Sequence, residues 1–292
     1  MNAARTLLGG IVDYAGLFPP AALDMPAAVR NYASYLADSD AWMLGRFVVA
    51  IARLPELADE LPRAPDRPWS LTALAGADVE HDVESARQFN ARHAGRAAID
   101  VLELKAVSIE GIERIAVTVD AHFTTFVELS VSANLEASVA RLRHHRLCAK
   151  IRTGGVVADA FPSAEVVARF IRACLREGVP FKATAGLHHP IRAAYRLTYD
   201  AGAANGVMFG YLNVFLAAAL MANGLSDAAA ERLLEERDAA AFELGDDRVG
   251  WRGHSLSADD ARRVRERVAV SFGSCSFREP VDELKALALA PI

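Results

Sequence analysis

Four lysines stand among 28 arginines in this chain: Lys105, Lys150, Lys182 and Lys285. Arginine stays protonated in proteins, whereas a buried lysine can give up its proton and act as a base or nucleophile. Three of the four fall at the ends of apolar, strand-like runs. Glu103 and Lys105 end one run, Glu128 and Ser130 another, Lys150 and Arg152 a third. Lys182 and Thr184 end a fourth, with His188 just beyond. Side chains alternate along a strand, so the two members of each pair share a face. Ionised groups on apolar, buried strands are costly unless partnered. The pattern therefore predicts a cluster of both signs at one place, suited to amine chemistry and proton transfer. The alternative is a set of salt bridges that only ties strands together.

Other residues could join such a site. Asp13 and Tyr14 follow the first apolar run, and the loop after them carries Phe18-Pro-Pro20, rigid apolar material for the wall of a pocket. Asn213 follows the last run. His188 and His189 are adjacent before Pro190, and one of them with Glu103, Glu128 or Asp13 could ligate a divalent metal. Neighbouring residues on extended chain point to opposite sides, so one histidine is expected to face the site. The backbones of Gly154, Gly155 and Gly186 offer N–H groups to an anion. Cys275, in Gly-Ser-Cys-Ser, has no evident base partner and reads as inert.

The elements that must position these residues alternate along the chain. Strand-like runs fall at 11–15, 47–52, 70–75, 99–105, 125–131, 147–152, 181–185 and 206–211. They are short, nearly continuous in apolarity and rich in Val, Ile and Phe, as buried parallel strands are. Helical patterns fill the gaps. In 163–177, Val166, Val167, Phe170, Ile171, Cys174 and Leu175 recur at helical spacing between Ser163, an N-cap, and Gly178, a stop. Further helices are predicted to open near Asp24 with Pro26, over 78–93, over 226–241, and over 257–268 with a capping-box pattern of Ser257 and Asp260. A loop with Trp251 and His254 is expected at 245–255. Eight βα units predict a (β/α)8 TIM-type barrel over 1–224, with 225–292 as a helical extension packed on it. An open doubly wound sheet is the runner-up, and no G-x-G-x-x-G follows any strand.

Two segments carry a resemblance. Ala149-Lys-Ile-Arg-Thr-Gly-Gly155 is followed, after the helix at 163–177, by Phe181-Lys-Ala-Thr-Ala-Gly-Leu-His-His-Pro190. This resembles class I aldolases of the deoxyribose-phosphate aldolase type, which carry a Lys-x-Ser/Thr-Thr-Gly strand, a helix and a Lys-Ala-Ser-Gly-Gly strand. The resemblance spans about 45 of the 292 residues. It implies that Lys150 forms a Schiff base and that the charge of Lys182 disfavours the ammonium form of Lys150. Arg152 stands where the family has a small residue, and Met208 to Asn213 lacks the family's Ser-Gly-rich phosphate loop, which points away from a phosphorylated sugar.

Composition bounds the rest. Hydrophobic residues make up 52% and charged residues 24%, which suits a globular core. A net charge of −5 argues against nucleic acid. The most apolar run, about 16 residues from Val207, is short of the roughly 20 that a membrane span needs. With no export signal recognised, a cytoplasmic location with reduced thiols is expected. The reading is a lyase of aldolase type acting on a small polar, anionic carbonyl compound, with no cofactor and no metal. Lys150, Lys182, Glu103 and Glu128 are the catalytic candidates. Arg152, Lys105, Thr184, His188, Asn213 and Tyr14 are the substrate-binding ones. A metal-dependent isomerase or hydrolase and a non-catalytic binding protein remain alternatives, and a homo-oligomer is left open.

Overall fold

The computed structural model describes residues 2–131 and 134–287. Eight parallel strands close into a barrel: β1 (Val12–Tyr14), β2 (Leu44–Ala50), β3 (Trp69–Leu74), β4 (Ala97–Ala106), β5 (Thr124–Leu129), β6 (Cys148–Arg152), β7 (Phe181–Thr184) and a last strand at Ala269–Ser274. Between β7 and that last strand lie two smaller sheets, a hairpin of β8 (Ala193–Arg196) and β9 (Asn205–Met208), and a meander of β10 (Phe242–Leu244), β11 (Arg248–Trp251) and β12 (His254–Ser257). The last barrel strand is therefore β13, which pairs with both β1 and β7.

Helices alternate with the strands: α1 (Ala3–Leu8), α2 (Met25–Leu36), α3 (Leu54–Glu60), α4 (Val79–Arg92), α5 (Ile109–Thr118), α6 (Leu135–His144), α7 (Ala164–Glu177), α8 (Tyr211–Ala222), α9 (Asp227–Leu234), α10 (Ala258–Arg267) and α11 (Arg278–Ala286). The caps follow the sequence. Ser163 accepts from Val166 N at the start of α7, and Gly178 ends it at φ 64°, in the left-handed region glycine favours. Ser257 and Asp260 form the expected capping box of α10. Asp24 and Asp78 cap α2 and α4.

Three expectations are corrected. The run at 206–211 is not a barrel strand: its first part is β9, and Tyr211 already begins α8. The eighth strand is β13, whose sequence Ala-Val-Ser-Phe-Gly-Ser is less apolar because Ser271 turns into the barrel and donates to Asp13 Oδ2 at 2.8 Å. For the same reason the barrel does not end at residue 224, and 225–287 are not an extension beside it. They contain its closing strand, after which α11 forms the C-terminal helical element. Residues 245–255 are not a loop but most of the β10–β12 meander, in which Trp251 pairs with His254 across the β11–β12 turn. The meander packs on α1, with Ala3 N donating to Asp246 O at 2.6 Å.

Two layers fill the barrel interior. Val101, Phe126 and Cys148 form a buried apolar layer. Two residues further along the same strands come Glu103, Glu128 and Lys150, a charged layer on the same inward face. Register places Glu128 beside Lys150, and Lys150 beside Lys182.

Candidate active site

The charged layer is one connected network. Lys182 Nζ lies 2.5 Å from Glu103 Oε1 and 2.6 Å from Asp13 Oδ2. Lys150 Nζ lies 2.6 Å from Glu103 Oε2 and 3.3 Å from Glu128 Oε2. Glu103 thus gives one oxygen to each lysine. Asp13 is further fixed by Arg46 N at 2.7 Å and by Ser271. Lys182 also sits over the Phe126 ring, 5.4 Å from its centre. All five titratable groups are buried.

For Lys182 and Glu103, burial opposes the charged form and the neighbouring opposite charges outweigh it. For Lys182, desolvation pulls the pKa down, but Asp13 and Glu103 override it and hold the value above the ordinary one. For Glu103, desolvation pushes the pKa up, but Lys182 and Lys150 bring it down to about 2. Three carboxylates meet two ammonium groups. Arg152, half-exposed at the rim, supplies a further positive charge 4.0 Å from Glu128.

Above the network is a partly open cavity of about 290 Å³, at the low end for small-molecule sites. Glu103 and Lys150 form part of its floor, and Arg152, Thr184 and His188 part of its wall. Phe18, Pro19 and Pro20 line it as the sequence predicts. Its roof is the β8–β9 excursion, through Arg196, Leu197, Thr198, Tyr199 and Met208. The run at 206–211, expected as a barrel strand, thus contributes Met208 of β9 to a cover over the barrel mouth. It leaves at the C-terminal end of β7, where catalytic groups collect in this fold.

His188 is buried, and burial, with the neighbouring His189, lowers its pKa to about 4. Its Nδ1 faces the end of β13 and the start of α11: Ser274 Oγ at 3.3 Å, Glu279 Oε2 at 3.5 Å and Cys275 Sγ at 3.7 Å. Cys275 also lines the cavity, 3.5 Å from Tyr199 Oη, and burial pushes its thiol pKa up. The expectation that Cys275 lacks a base partner is not met, since His188 Nδ1 lies 3.7 Å from its sulfur, although burial favours the thiol form.

Several candidates lie elsewhere. Lys105 does not converge with the others. β4 continues beyond its last pair with β3, Leu74 with Glu103, and Lys105 is exposed and lines an outer groove with Asp78 and Arg114. Tyr14 alternates outward from Asp13 and packs among Tyr32, Tyr35 and Phe47, accepting from Asn31 Nδ2 at 3.3 Å. Asn213, in the first turn of α8, is fully buried. It donates to Leu233 O and Glu236 O and accepts from Arg192 N, so it braces loops and binds nothing in the cavity. Lys182 lies beneath the cavity, in contact with Glu103 and Asp13. The histidines do not meet Glu103, Glu128 or Asp13; the carboxylates near them are Glu279 and Glu283.

Sequence reasoning missed Glu279, Tyr199 and Arg196 as lining residues. A signal was present for Glu279, since it follows the small, polar end of an apolar run in Ser-Cys-Ser-Phe-Arg-Glu-Pro. No protein-family model matches the chain, and no curated protein matches it.

Proposed function

We propose that this barrel is a lyase of the aldolase type that acts on a small polar carbonyl compound through a Schiff base at Lys150. The observation that carries the reading is the position of Lys150. It is the one lysine on the cavity lining among the described residues, and two carboxylates hold its Nζ at 2.6 and 3.3 Å. The resemblance of β6 and β7 to the deoxyribose-phosphate aldolase type gives Lys150 and Lys182 the same two roles.

The chemistry follows from these contacts. Proton transfer from the ammonium to a neighbouring carboxylate frees the Nζ lone pair to add to the substrate carbonyl carbon. The carbinolamine takes up a proton and loses water, leaving a protonated imine. That imine carries its positive charge where the ammonium had it, so Glu103 and Glu128 stabilise the adduct as they stabilise the amine. Neutral His188 faces the same cavity. With its Nδ1 proton directed at Ser274 and Glu279, Nε2 can take the proton of a substrate hydroxyl. The adjacent C–C bond then breaks, and its electron pair passes into the imine to give an enamine. Protonation of the enamine and hydrolysis of the resulting imine regenerate Lys150. Arg152, free on one side at the rim, suits an anionic substituent of the substrate.

Lys182, fixed between Asp13 and Glu103, acts as a permanent charge and not as a nucleophile. The pairing of both lysines favours a second reading, a barrel that binds an anionic ligand without chemistry. A panel of hydroxyaldehydes, hydroxyketones and 2-oxo acids separates the two. Turnover by the native chain that is lost in Lys150→Arg supports the lyase; saturable binding without turnover in both forms supports the binder. No helix among the described residues is long and apolar enough to cross a membrane. The three cysteines are free, in keeping with the cytoplasmic setting we assign.

A further inference from the structure

Glu279 and Glu283 stand one turn apart on α11, so their carboxylates share a face. The two basic residues of that helix are committed elsewhere. Arg278 pairs with Asp38, Asp40 and Asp282, and Lys285 with Asp40. Among the described residues, the ion-pair partners of Glu279 and Glu283 are histidines, His188 and His189 respectively. Two part-buried carboxylates thus adjoin each other with no Lys or Arg to balance them.

The third component is His189. Its ring is buried and lies flat on Tyr195, with centres 3.4 Å apart, and Tyr195 is tied by its hydroxyl to Ile191 O at 2.8 Å. Nδ1 of His189 lies 2.8 and 2.9 Å from the two oxygens of Glu283. One nitrogen of His189 and one oxygen each of Glu279 and Glu283 fall within 4.8 Å of one another. Donors that share one ion at about 2.1 Å each sit roughly 3–4 Å apart, so small side-chain shifts suffice.

We propose that His189, Glu279 and Glu283 form a site for one divalent transition-metal ion, of the zinc or manganese kind, on the wall of the cavity. One imidazole and two carboxylates suit those ions by ligand chemistry. Three protein ligands leave coordination positions open, as in sites where the metal meets a substrate oxygen. His189 and Glu279 both line the cavity, so the open positions have substrate space beside them. The ligand class is a compound with adjacent oxygen donors, such as a hydroxy-carbonyl. This departs from the metal-free expectation and does not depend on an adduct at Lys150.

The full chain, stripped with a chelator, is titrated by calorimetry with zinc or with manganese alone. The expected result is one ion per chain and a raised melting temperature. Glu283→Gln and His189→Ala should each weaken binding by roughly tenfold or more, while Lys150→Arg binds as the native chain does. Cobalt in place of zinc should give visible absorption bands that His189→Ala removes. Circular dichroism checks that each variant is folded. Glu283→Gln changes a partly exposed side chain nearly isosterically, so it keeps the test decisive should His189→Ala fail to fold. Absence of saturable binding of either ion up to millimolar concentration overturns the proposal, as does binding that Glu283→Gln leaves unchanged.

Discussion

At the scale of residues, the molecule holds five buried titratable side chains in one connected network. Removing one partner leaves the others charged and buried. Lys182→Met strands Asp13 and Glu103 and is expected to cost about 3–5 kcal/mol, measured by urea unfolding. A cost below about 1 kcal/mol would mean the network is wetter than its burial implies. Titration gives a second test. Glu103 is held at about 2 against an ordinary 4.5. A depressed carboxyl stabilises the fold fully above its unfolded value, and that contribution is lost as pH falls through its folded value. Its acid window is therefore about 4.5 down to 2, and Glu103→Gln should flatten the stability curve there. His188 is held at about 4 against 6.5. Its neutral form is favoured by the fold, so its stabilising effect is complete above 6.5 and is lost as pH falls through about 4. If His188 is the base, the acid limb of the rate profile lies near 4, and a limb near 6.5 removed by His188→Gln would contradict that environment.

At the scale of elements, the legible parts were those with local signals. α7 is written in its sequence from Ser163 to Gly178, and the first seven barrel strands follow from short apolar runs. The charged strand ends were legible because Glu103, Lys150 and Lys182 are expensive in an apolar strand without partners. The eighth strand was not. Ser271 and Ser274 dilute the apolar run of β13, and its partner Asp13 is far away in sequence. The apolar stretch around Val207 imitated a barrel strand because it forms β9 of the cover and then enters a wholly buried helix. Asn213 and Tyr14 looked like site residues for the same reason: the sequence shows polarity at an element's end, but not which way the chain turns next. The loop after β7 depends on Gly186, at φ 72°. A Cβ there would lie 2.8 Å from Phe161 and 3.1 Å from Gly154 Cα. Gly186→Ala is expected to cost about 1–2 kcal/mol from backbone strain alone and to displace His188, so both melting temperature and turnover should fall. Unchanged values would show that this loop adapts.

At the scale of the whole molecule, the barrel closes only when the chain returns at β13. A chain cut after residue 224 lacks the strand between β1 and β7 and loses Ser271 from Asp13. Circular dichroism and denaturant titration should show no cooperative unfolding for it, whereas a cooperative transition would mean that the closing strand is dispensable. Closure also brings α11 and the β8–β9 cover to the charged floor, and together they line a partly open chamber beside Lys150. The most direct test of that chamber's chemistry is borohydride reduction of the native chain with small hydroxyaldehydes, hydroxyketones and 2-oxo acids, followed by peptide mass spectrometry. The expected result is the mass of one reduced adduct on the peptide containing Lys150, with none on Lys182 and none in Lys150→Arg. Turnover of a carbonyl substrate that persists in Lys150→Arg, or an adduct elsewhere in its place, would contradict it.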